Sequence, residues 1–204
     1  MNKILGYDKE NFVVTIQPGV LLNDLAEDAE KQGLLYPPDP GEKFATVGGN
    51  VATNAGGMRA VKYGTTRDYV RAMTVVLPTG EIVKLGATVS KTSSGYSLLN
   101  LMIGSEGTLG VITELTLKLI PQPKAVISLI IPYETLEDCI ATVPQFFMNH
   151  LHPQALEFME KMSSWIRRNF WERRFIQKKW KAWKSVRICW LPLTEIRKNS
   201  WKIS

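Results

Sequence analysis

The stretch Ala45-Thr-Val-Gly-Gly-Asn-Val-Ala-Thr-Asn-Ala-Gly-Gly-Met58 decides how this chain is interpreted. Two glycine pairs enclose Asn50 and Asn54, and most of the other residues are small. Positions without a side chain let the backbone approach a ligand closely, and successive N–H groups can hold a pyrophosphate without a lysine. The asparagine amides add further donors and acceptors. The stretch therefore predicts a small-residue turn that binds a phosphate-bearing ligand.

This stretch fits neither of the two common phosphate-binding motifs. No Gly-Lys-Ser/Thr follows it, as a Walker loop requires, and its spacing is not GxGxxG. A plain tight turn packed under a sheet explains it equally well, so the rest of the chain has to decide.

A second glycine motif follows at Ile103-Gly-Ser-Glu-Gly-Thr-Leu-Gly-Val-Ile-Thr-Glu114, between a predicted helix and a predicted strand. Glycines at such a junction suit backbone contact with a nucleotide, and the main chain of Val111 and Ile112 can pair with an adenine edge. The alternative is a corner whose glycines serve only packing. For either motif taken alone, that alternative is the better explanation.

Hydrophobic periodicity and turn residues outline a mixed fold around these motifs. Strands are predicted over 12–19, 69–77, 81–85, 110–120 and 125–131, with the second and third forming a hairpin at Pro78-Thr-Gly80. Helices are predicted over 20–32, 97–103 and 134–148, while Pro37–Gly41 is irregular because of its prolines. The order lacks a regular βαβ rhythm, which favours an α+β fold over a doubly wound parallel sheet.

Charge and tryptophan content divide the chain of 204 residues at about Lys161. Residues 1–160 hold 12 Lys/Arg and 17 Asp/Glu, whereas residues 161–204 hold 13 Lys/Arg, 2 Asp/Glu and all six tryptophans. The net charge of the whole chain is +6. The tail places Ile176, Trp180, Trp183, Val186 and Trp190 on one face of a predicted basic helix. Such a helix suits an anionic membrane surface or a nucleic-acid backbone.

Several other functional classes find little support. Neither a run of eighteen apolar residues nor a secretory signal is present, so a cytoplasmic location is expected. Cys139 and Cys189 are not spaced as metal ligands are. His150 and His152 are interpreted as surface histidines because no third metal ligand is near. Arg67 and Asp68 are interpreted as a local ion pair without a chemical role.

Five ordered motifs give the chain a family resemblance. PPDPG (37–41), ATVGGNVATNAGGMRAVKYGTTRDYV (45–70), LPTGEIVKLG (77–86), KTSSGY (91–96) and IGSEGTLGVITELTLKLIP (103–121) resemble the second half of the PCMH-type FAD-binding domain of vanillyl-alcohol-oxidase-type flavoproteins. The most similar branch contains the glycolate oxidase flavin subunit and the D-lactate and D-2-hydroxyglutarate dehydrogenases. The resemblance covers about residues 1–160.

The resemblance implies FAD as the cofactor and oxidation of a 2-hydroxy acid to a 2-oxo acid by hydride transfer to the flavin. It also implies a possible electron-accepting partner subunit, with the substrate handled by a C-terminal cap domain, so no catalytic residue or metal ligand is assigned here. Nucleic-acid binding is not expected from it. The cofactor residues that it implies are Gly48, Gly49, Asn50, Thr53, Asn54, Gly56, Gly57, Tyr63, Gly64, Glu106, Gly107, Gly110, Val111 and Ile112. The two glycine stretches are accordingly expected to fold together into one surface for a flavin dinucleotide.

The same resemblance predicts a division into three parts. Residues 1–122 are expected to be a partial FAD-binding domain, 123–160 the beginning of a ferredoxin-like cap domain, and 161–204 a basic tail. Family members carry a first subdomain with another phosphate-binding loop before the equivalent of Asn2, so an incomplete fragment is expected, and a catalytically inactive remnant is the alternative. A change of reading frame near Lys161 explains the tail, and a membrane- or nucleic-acid-binding tail is the alternative.

Overall fold

The computed structural model describes residues 1–91, 93, 95–133, 135–160 and 185–192. The chain divides into two compact units, Met1–Gln122 and Pro123–Ser204. All strand pairs in both units are antiparallel within the described residues. Together with the helices between the strands, this confirms the predicted α+β class.

The first unit contains seven strands and four α-helices among its described residues. The strands are β1 Ile4–Asp8, β2 Val13–Ile16, β3 Leu34–Leu35, β4 Val70–Val76, β5 Ile82–Gly86, β6 Val111–Lys118 and β7 Ile120–Pro121. The helices are α1 Leu22–Lys31, α2 Val47–Thr53, α3 Ala60–Tyr63 and α4 Leu98–Met102, with a 3₁₀ helix over Thr66–Tyr69. Five strands form one sheet in the order β1-β2-β6-β4-β5, and β3 pairs with β7.

The core of the first unit lies where β2 and β6 meet the apolar face of α1. Val14, Ile16, Leu115 and Leu117 have no exposed surface, as expected of the inward faces of adjacent strands. Helix α1 adds Leu25, which is also completely buried. Burial of these side chains is the main force that holds the sheet and helix together.

Most of the predicted elements of this unit are present with shifted ends, including the β4–β5 hairpin and the glycine junction between α4 and β6. The interpretation of the Gly48 region as a turn was wrong, because residues 47–53 form helix α2. Thr46 starts this helix by accepting a hydrogen bond from the Gly49 N–H at 3.2 Å, and Asn54 ends it in a left-handed conformation. These end groups offset the low helix propensity of the glycines.

The second unit contains β8 Val126–Tyr133, α5 Leu136–Met148, β9 Ala155–Glu160 and β10 Ser185–Pro192, with the sheet order β8-β10-β9. Thr135 begins α5 by accepting a hydrogen bond from the Asp138 N–H at 3.1 Å. Within α5, Cys139 is buried. His150 and His152 are exposed, as predicted.

The prediction that the tail forms a basic helix was wrong for the last residues of that helix. Val186 and Trp190 belong to β10, which pairs with both β8 and β9, and the alternation of Val186, Ile188 and Trp190 is typical of a strand. Ile176, Trp180 and Trp183 lie outside the described residues. The assignment of the three parts of the chain as named domains stays a prediction.

Candidate functional site

The backbone N–H groups in the first turn of helix α2 already donate hydrogen bonds to other residues of the protein. The Val47 N–H donates to the Val20 carbonyl at 2.8 Å, and the Gly48 N–H donates to the Pro18 carbonyl at 2.8 Å. The Gly49 N–H is already taken by Thr46. These donors are therefore not available to an anion, and any phosphate contact has to come from elsewhere in the glycine stretch.

Three of the predicted site glycines are required by packing. A Cβ on Gly48 would lie 2.5 Å from the Cβ of Pro18, and one on Gly110 would lie 2.6 Å from a methyl group of Val75. A Cβ on Gly57 would overlap the Asp39 carbonyl. For these residues, close approach of neighbouring segments is a sufficient explanation for the absence of a side chain.

The Pro37–Gly41 segment packs directly against the second glycine pair. Besides the close approach of the Asp39 carbonyl to Gly57, the Asp39 carboxylate forms an ion pair with Arg59 at 3.2 Å. The prolines restrict the backbone of this segment, so it offers a rigid support. The conformation of the loop after α2 is thereby fixed from one side.

The loop after α2 carries the free donors that the start of the helix lacks. Within the described residues, the backbone N–H groups of Gly56, Gly57 and Met58 have no hydrogen-bond acceptor. Gly56 and Met58 are exposed, and a Cβ on Gly56 would meet nothing closer than 3.9 Å. Unpaired N–H groups at an open, side-chain-free position are suited to an anionic ligand.

Asn50 adds a buried polar group without a partner. Its side chain is 5% exposed, and its amide nitrogen has no hydrogen-bond partner among the described residues. A buried donor that makes no hydrogen bond is costly, and such groups are rare in folded proteins. This unsatisfied amide fits a site whose ligand supplies the missing acceptor.

Asn54, by contrast, has a structural partner for its side-chain oxygen. This oxygen accepts hydrogen bonds from the Arg67 N–H at 3.0 Å and from the Thr65 hydroxyl at 3.2 Å. Asn54 therefore links the end of α2 to the 3₁₀ helix, a contact that no sequence pattern indicates. Thr53 is exposed, and its hydroxyl donates to the Gly49 carbonyl at 3.0 Å.

The two glycine motifs meet at the end of α2. The Gly104 N–H donates to the Val51 carbonyl at 3.0 Å, and the Glu106 N–H donates to the Ala52 carbonyl at 2.9 Å. Carbonyls at the end of a helix lack helical partners, so the second motif completes the hydrogen bonding of α2. The expectation that the two stretches form one surface is therefore met.

The second motif presents its own open positions on this surface. Glu106 and Gly107 are exposed, and both have positive φ angles, of 52° and 78°. Nothing lies within 4 Å of a Cβ placed on Gly107. Gly107 is thus required by its backbone conformation, and the space beside it remains open to a ligand.

Val111 and Ile112 lie at the start of β6, where one edge of this strand is unpaired. They pair with Val76 and Val75 of β4 on one side. On the other side, β2 pairs only with residues 115–118. In the described part of the chain, the main chain at Val111 and Ile112 therefore has one side free of strand neighbours, as pairing with a base edge requires.

Tyr63 and Gly64 show structural contacts and are less clearly part of this surface. Tyr63 is half-buried and packs against the core, with the Lys62 ammonium 5.7 Å from its ring centre. A side chain on Gly64 would collide with the carboxylate of Asp68, which accepts a hydrogen bond from the Thr65 N–H at 2.7 Å. Packing is sufficient to explain both residues.

The interpretation of Arg67 and Asp68 as a local ion pair was wrong. The Arg67 guanidinium donates to the Asn100 carbonyl at 2.7 Å and to the Ile103 carbonyl at 2.8 Å, so it is directed away from Asp68. Both acceptors are more than thirty residues away along the chain. No local sequence pattern reports such a contact, which is why Arg67 was missed.

Three tyrosines of the first unit have raised pKa values. Burial, together with the charges of Tyr63 and Asp68, raises the pKa of Tyr69 to about 12. Burial also raises the pKa of Tyr36, whose ring contacts that of Tyr69 edge-on with 6.0 Å between ring centres. Burial and a hydrogen bond to Asp28 raise the pKa of Tyr7. All three phenols remain neutral over the physiological range.

No group of three or more metal-ligating side chains occurs in the portion that the structure describes. Among the described helices, none combines the length and apolar character needed to cross a membrane.

Part of the chain matches a family of known proteins, and most of it is similar to individual relatives. The FAD binding domain family matches residues 1–86. The chain is 93% identical over 161 residues to D-lactate dehydrogenase of Anaerostipes hadrus, and 44% identical over 162 residues to glycolate oxidase subunit GlcD of Bacillus subtilis (strain 168). Each match covers 79% of this chain and 34% of the relative, so the chain spans about a third of their length.

A solved structure supports the same fold. Alkyldihydroxyacetonephosphate synthase superposes with a TM-score of 0.75 at 25% sequence identity, covering 94% of this chain and 36% of that protein. The prediction of FAD as the cofactor agrees with the family description. Residues 1–86 thus match the FAD binding domain family, and the chain has the PCMH-type fold.

Proposed function

We propose that this chain forms part of the flavin site of an FAD-dependent oxidoreductase that converts a 2-hydroxy acid to a 2-oxo acid. The observation that carries the proposal is the joining of the two glycine motifs by the Gly104 and Glu106 hydrogen bonds to the end of α2. A plain turn has no need of a second glycine-rich segment fixed beside it. The high identity to a D-lactate dehydrogenase and the similarity to a glycolate oxidase subunit supply the reaction class.

The residues present fit this cofactor. The free N–H groups of Gly56, Gly57 and Met58 would hold the pyrophosphate, and the Asn50 amide would find its missing acceptor. Gly107 leaves room for close approach, and the free edge at Val111 and Ile112 would pair with the adenine. Bound FAD would supply the hydride acceptor. The roles of these residues in binding stay predictions.

The substrate and the partner belong to the whole protein, of which this chain spans a part. We infer a small 2-hydroxy acid of the D-lactate or glycolate kind as substrate, and a further subunit as electron acceptor, because one relative is named as a subunit. The residues that bind this acid are expected outside the glycine surface. A cytoplasmic location also stays a prediction.

The proposal is tested by measuring the binding of FAD to the purified 204-residue chain, with quenching of flavin fluorescence as the signal. Gly56→Val adds a side chain beside the free N–H groups with no closer contact than 3.9 Å at its Cβ, so it should weaken binding while leaving stability unchanged. The expected loss is about tenfold or more, equivalent to ~1.4 kcal/mol.

The matched control is Gly6→Val on β1, an exposed position where nothing lies within 4 Å of an added Cβ. This variant should bind FAD like the parent chain. Absence of FAD binding by the parent chain, or equal affinity of both variants and the parent, would contradict the proposed site.

A further inference from the structure

Arg67 forms hydrogen bonds near both glycine motifs, although it lies outside both of them in the sequence. Its side chain bonds the Asn100 and Ile103 carbonyls, and its backbone N–H bonds the side chain of Asn54. Asn54 ends α2, and Ile103 immediately precedes Gly104. One residue outside both motifs is thus hydrogen-bonded to the end of the first and to the approach to the second.

The two carbonyls that Arg67 contacts belong to the end of α4. This helix has only five residues, a length at which helices are not stable on their own. A cation at a helix C-terminus is favourable, and hydrogen bonds from a charged group are about twice as strong as neutral ones. The guanidinium therefore stabilises α4 at the point where the chain enters the second motif.

The guanidinium also lies directly beside the second motif. A Cβ on Gly104 would be 3.6 Å from an Arg67 Nη atom and 3.5 Å from the Cβ of Asn54. Gly104 in turn donates to α2 through its N–H. The position of Gly104 is thus set by α2 on one side and by Arg67 on the other.

We propose that Arg67 is a positioning residue, which holds the second glycine motif against α2 and thereby sets the affinity of the site for FAD. It acts through Asn100, Ile103 and Asn54, and it need not touch the flavin. The effect of Arg67 on FAD affinity rests on the proposed function. Its effect on the hydrogen bonds of Gly104 and Glu106 to α2 does not.

The experiment compares Arg67→Met and Arg67→Lys with the parent chain. Hydrogen exchange of the Gly104 and Glu106 amides reports the contact with α2, and the Val47 amide at the opposite end of α2 is the internal reference. Arg67→Met should speed exchange of the first two amides by about tenfold relative to Val47, and should weaken FAD binding by about tenfold, since both hydrogen bonds to carbonyls are lost.

Arg67→Lys provides the graded variant. A lysine keeps the charge but lacks the planar fork that reaches two acceptors at once. It should recover part of the lost affinity, leaving a deficit of roughly threefold. The lysine variant also keeps the proposal testable if Arg67→Met does not fold.

Arg71→Met is the matched control, because Arg71 is also half-buried and donates to a carbonyl, that of Ser90 at 3.1 Å. It should leave FAD affinity within about twofold of the parent chain. If Arg67→Met and Arg71→Met have the same effect, or if Gly104, Glu106 and Val47 all exchange faster to the same degree, the positioning role is overturned. If the parent chain does not bind FAD, the proposed function fails, and exchange of Gly104 and Glu106 alone decides the positioning role.

Discussion

At the scale of single residues, the glycines of the two motifs divide into those that packing requires and those that leave space for a ligand. Gly48, Gly57 and Gly110 were predicted to approach a ligand, yet each has a protein neighbour that excludes a side chain. Among the predicted cofactor glycines, only Gly56 and Gly107 combine exposure with open space. The chemical type of a residue can be read from the sequence, whereas the identity of what lies beside it depends on segments distant along the chain.

Arg67 illustrates the same limit. The prediction paired it with its neighbour Asp68, since adjacent opposite charges are visible in the sequence. Its acceptors are main-chain carbonyls of Asn100 and Ile103, which every residue type carries. A contact that uses backbone atoms leaves no compositional trace, so sequence reasoning from one chain could not have found it.

A pH-dependent prediction follows for Tyr69. Its pKa is about 12 in the folded chain and about 10 when unfolded, so between these values the unfolded chain releases the proton first. The contribution of Tyr69 to stability is therefore complete below pH of about 10 and is lost as the pH rises toward about 12. Tyr69→Phe should reduce this alkaline loss of stability, measured by urea unfolding at about pH 8 and about pH 11.

The control for this prediction is Tyr96→Phe, because the Tyr96 side chain is 98% exposed. Both variants remove one phenol, but only the Tyr69 phenol changes its environment on folding. If the two variants have the same dependence of unfolding free energy on pH, the buried phenol is not the cause of the alkaline loss.

At the scale of elements, periodicity located helix α1 and the strands β2, β4 and β6 well. Each of them has apolar residues at the spacing that its burial requires, as with Leu22 and Leu25 on α1. Strand β1, with Ile4 and Tyr7 half-buried and the rest exposed, has no clear alternation and was missed. Helix α2 was missed because its glycines favour a turn, and Thr46 and tertiary contacts override that preference.

The importance of α1 for the first unit can be tested at its centre. Leu25 has no exposed surface, so Leu25→Ala leaves a cavity beneath the sheet and should lower the free energy of unfolding by about 2–5 kcal/mol. Asp24→Ala, at an exposed neighbouring position, should change it by about 0.5 kcal/mol or less. Chemical unfolding, monitored by circular dichroism, gives the unfolding free energies of both variants. A loss below about 1 kcal/mol for Leu25→Ala would show that α1 contributes little to the core.

At the scale of the whole molecule, both glycine motifs and the sheet that carries them fall within Met1–Gln122. Sequence reasoning predicted that these motifs meet, because five ordered motifs resemble one known arrangement. Composition also indicated a change near Lys161, but it could not reveal that residues 185–192 pair as a strand. Strand pairing over such distances is specified by partners and not by the segment alone.

This division gives a final prediction for a chain shortened to residues 1–122. The first unit has its own buried core and completes the hydrogen bonding of α2 internally, so it should fold cooperatively without the second unit. If the proposed flavin site is correct, FAD affinity should stay within about threefold of the full chain, a difference of roughly 0.7 kcal/mol. Thermal unfolding and flavin fluorescence measure the two properties separately. A shortened chain that folds but binds FAD much more weakly would mean that residues after Gln122 contribute to the flavin site, whereas a chain that does not fold would refute the independence of the first unit.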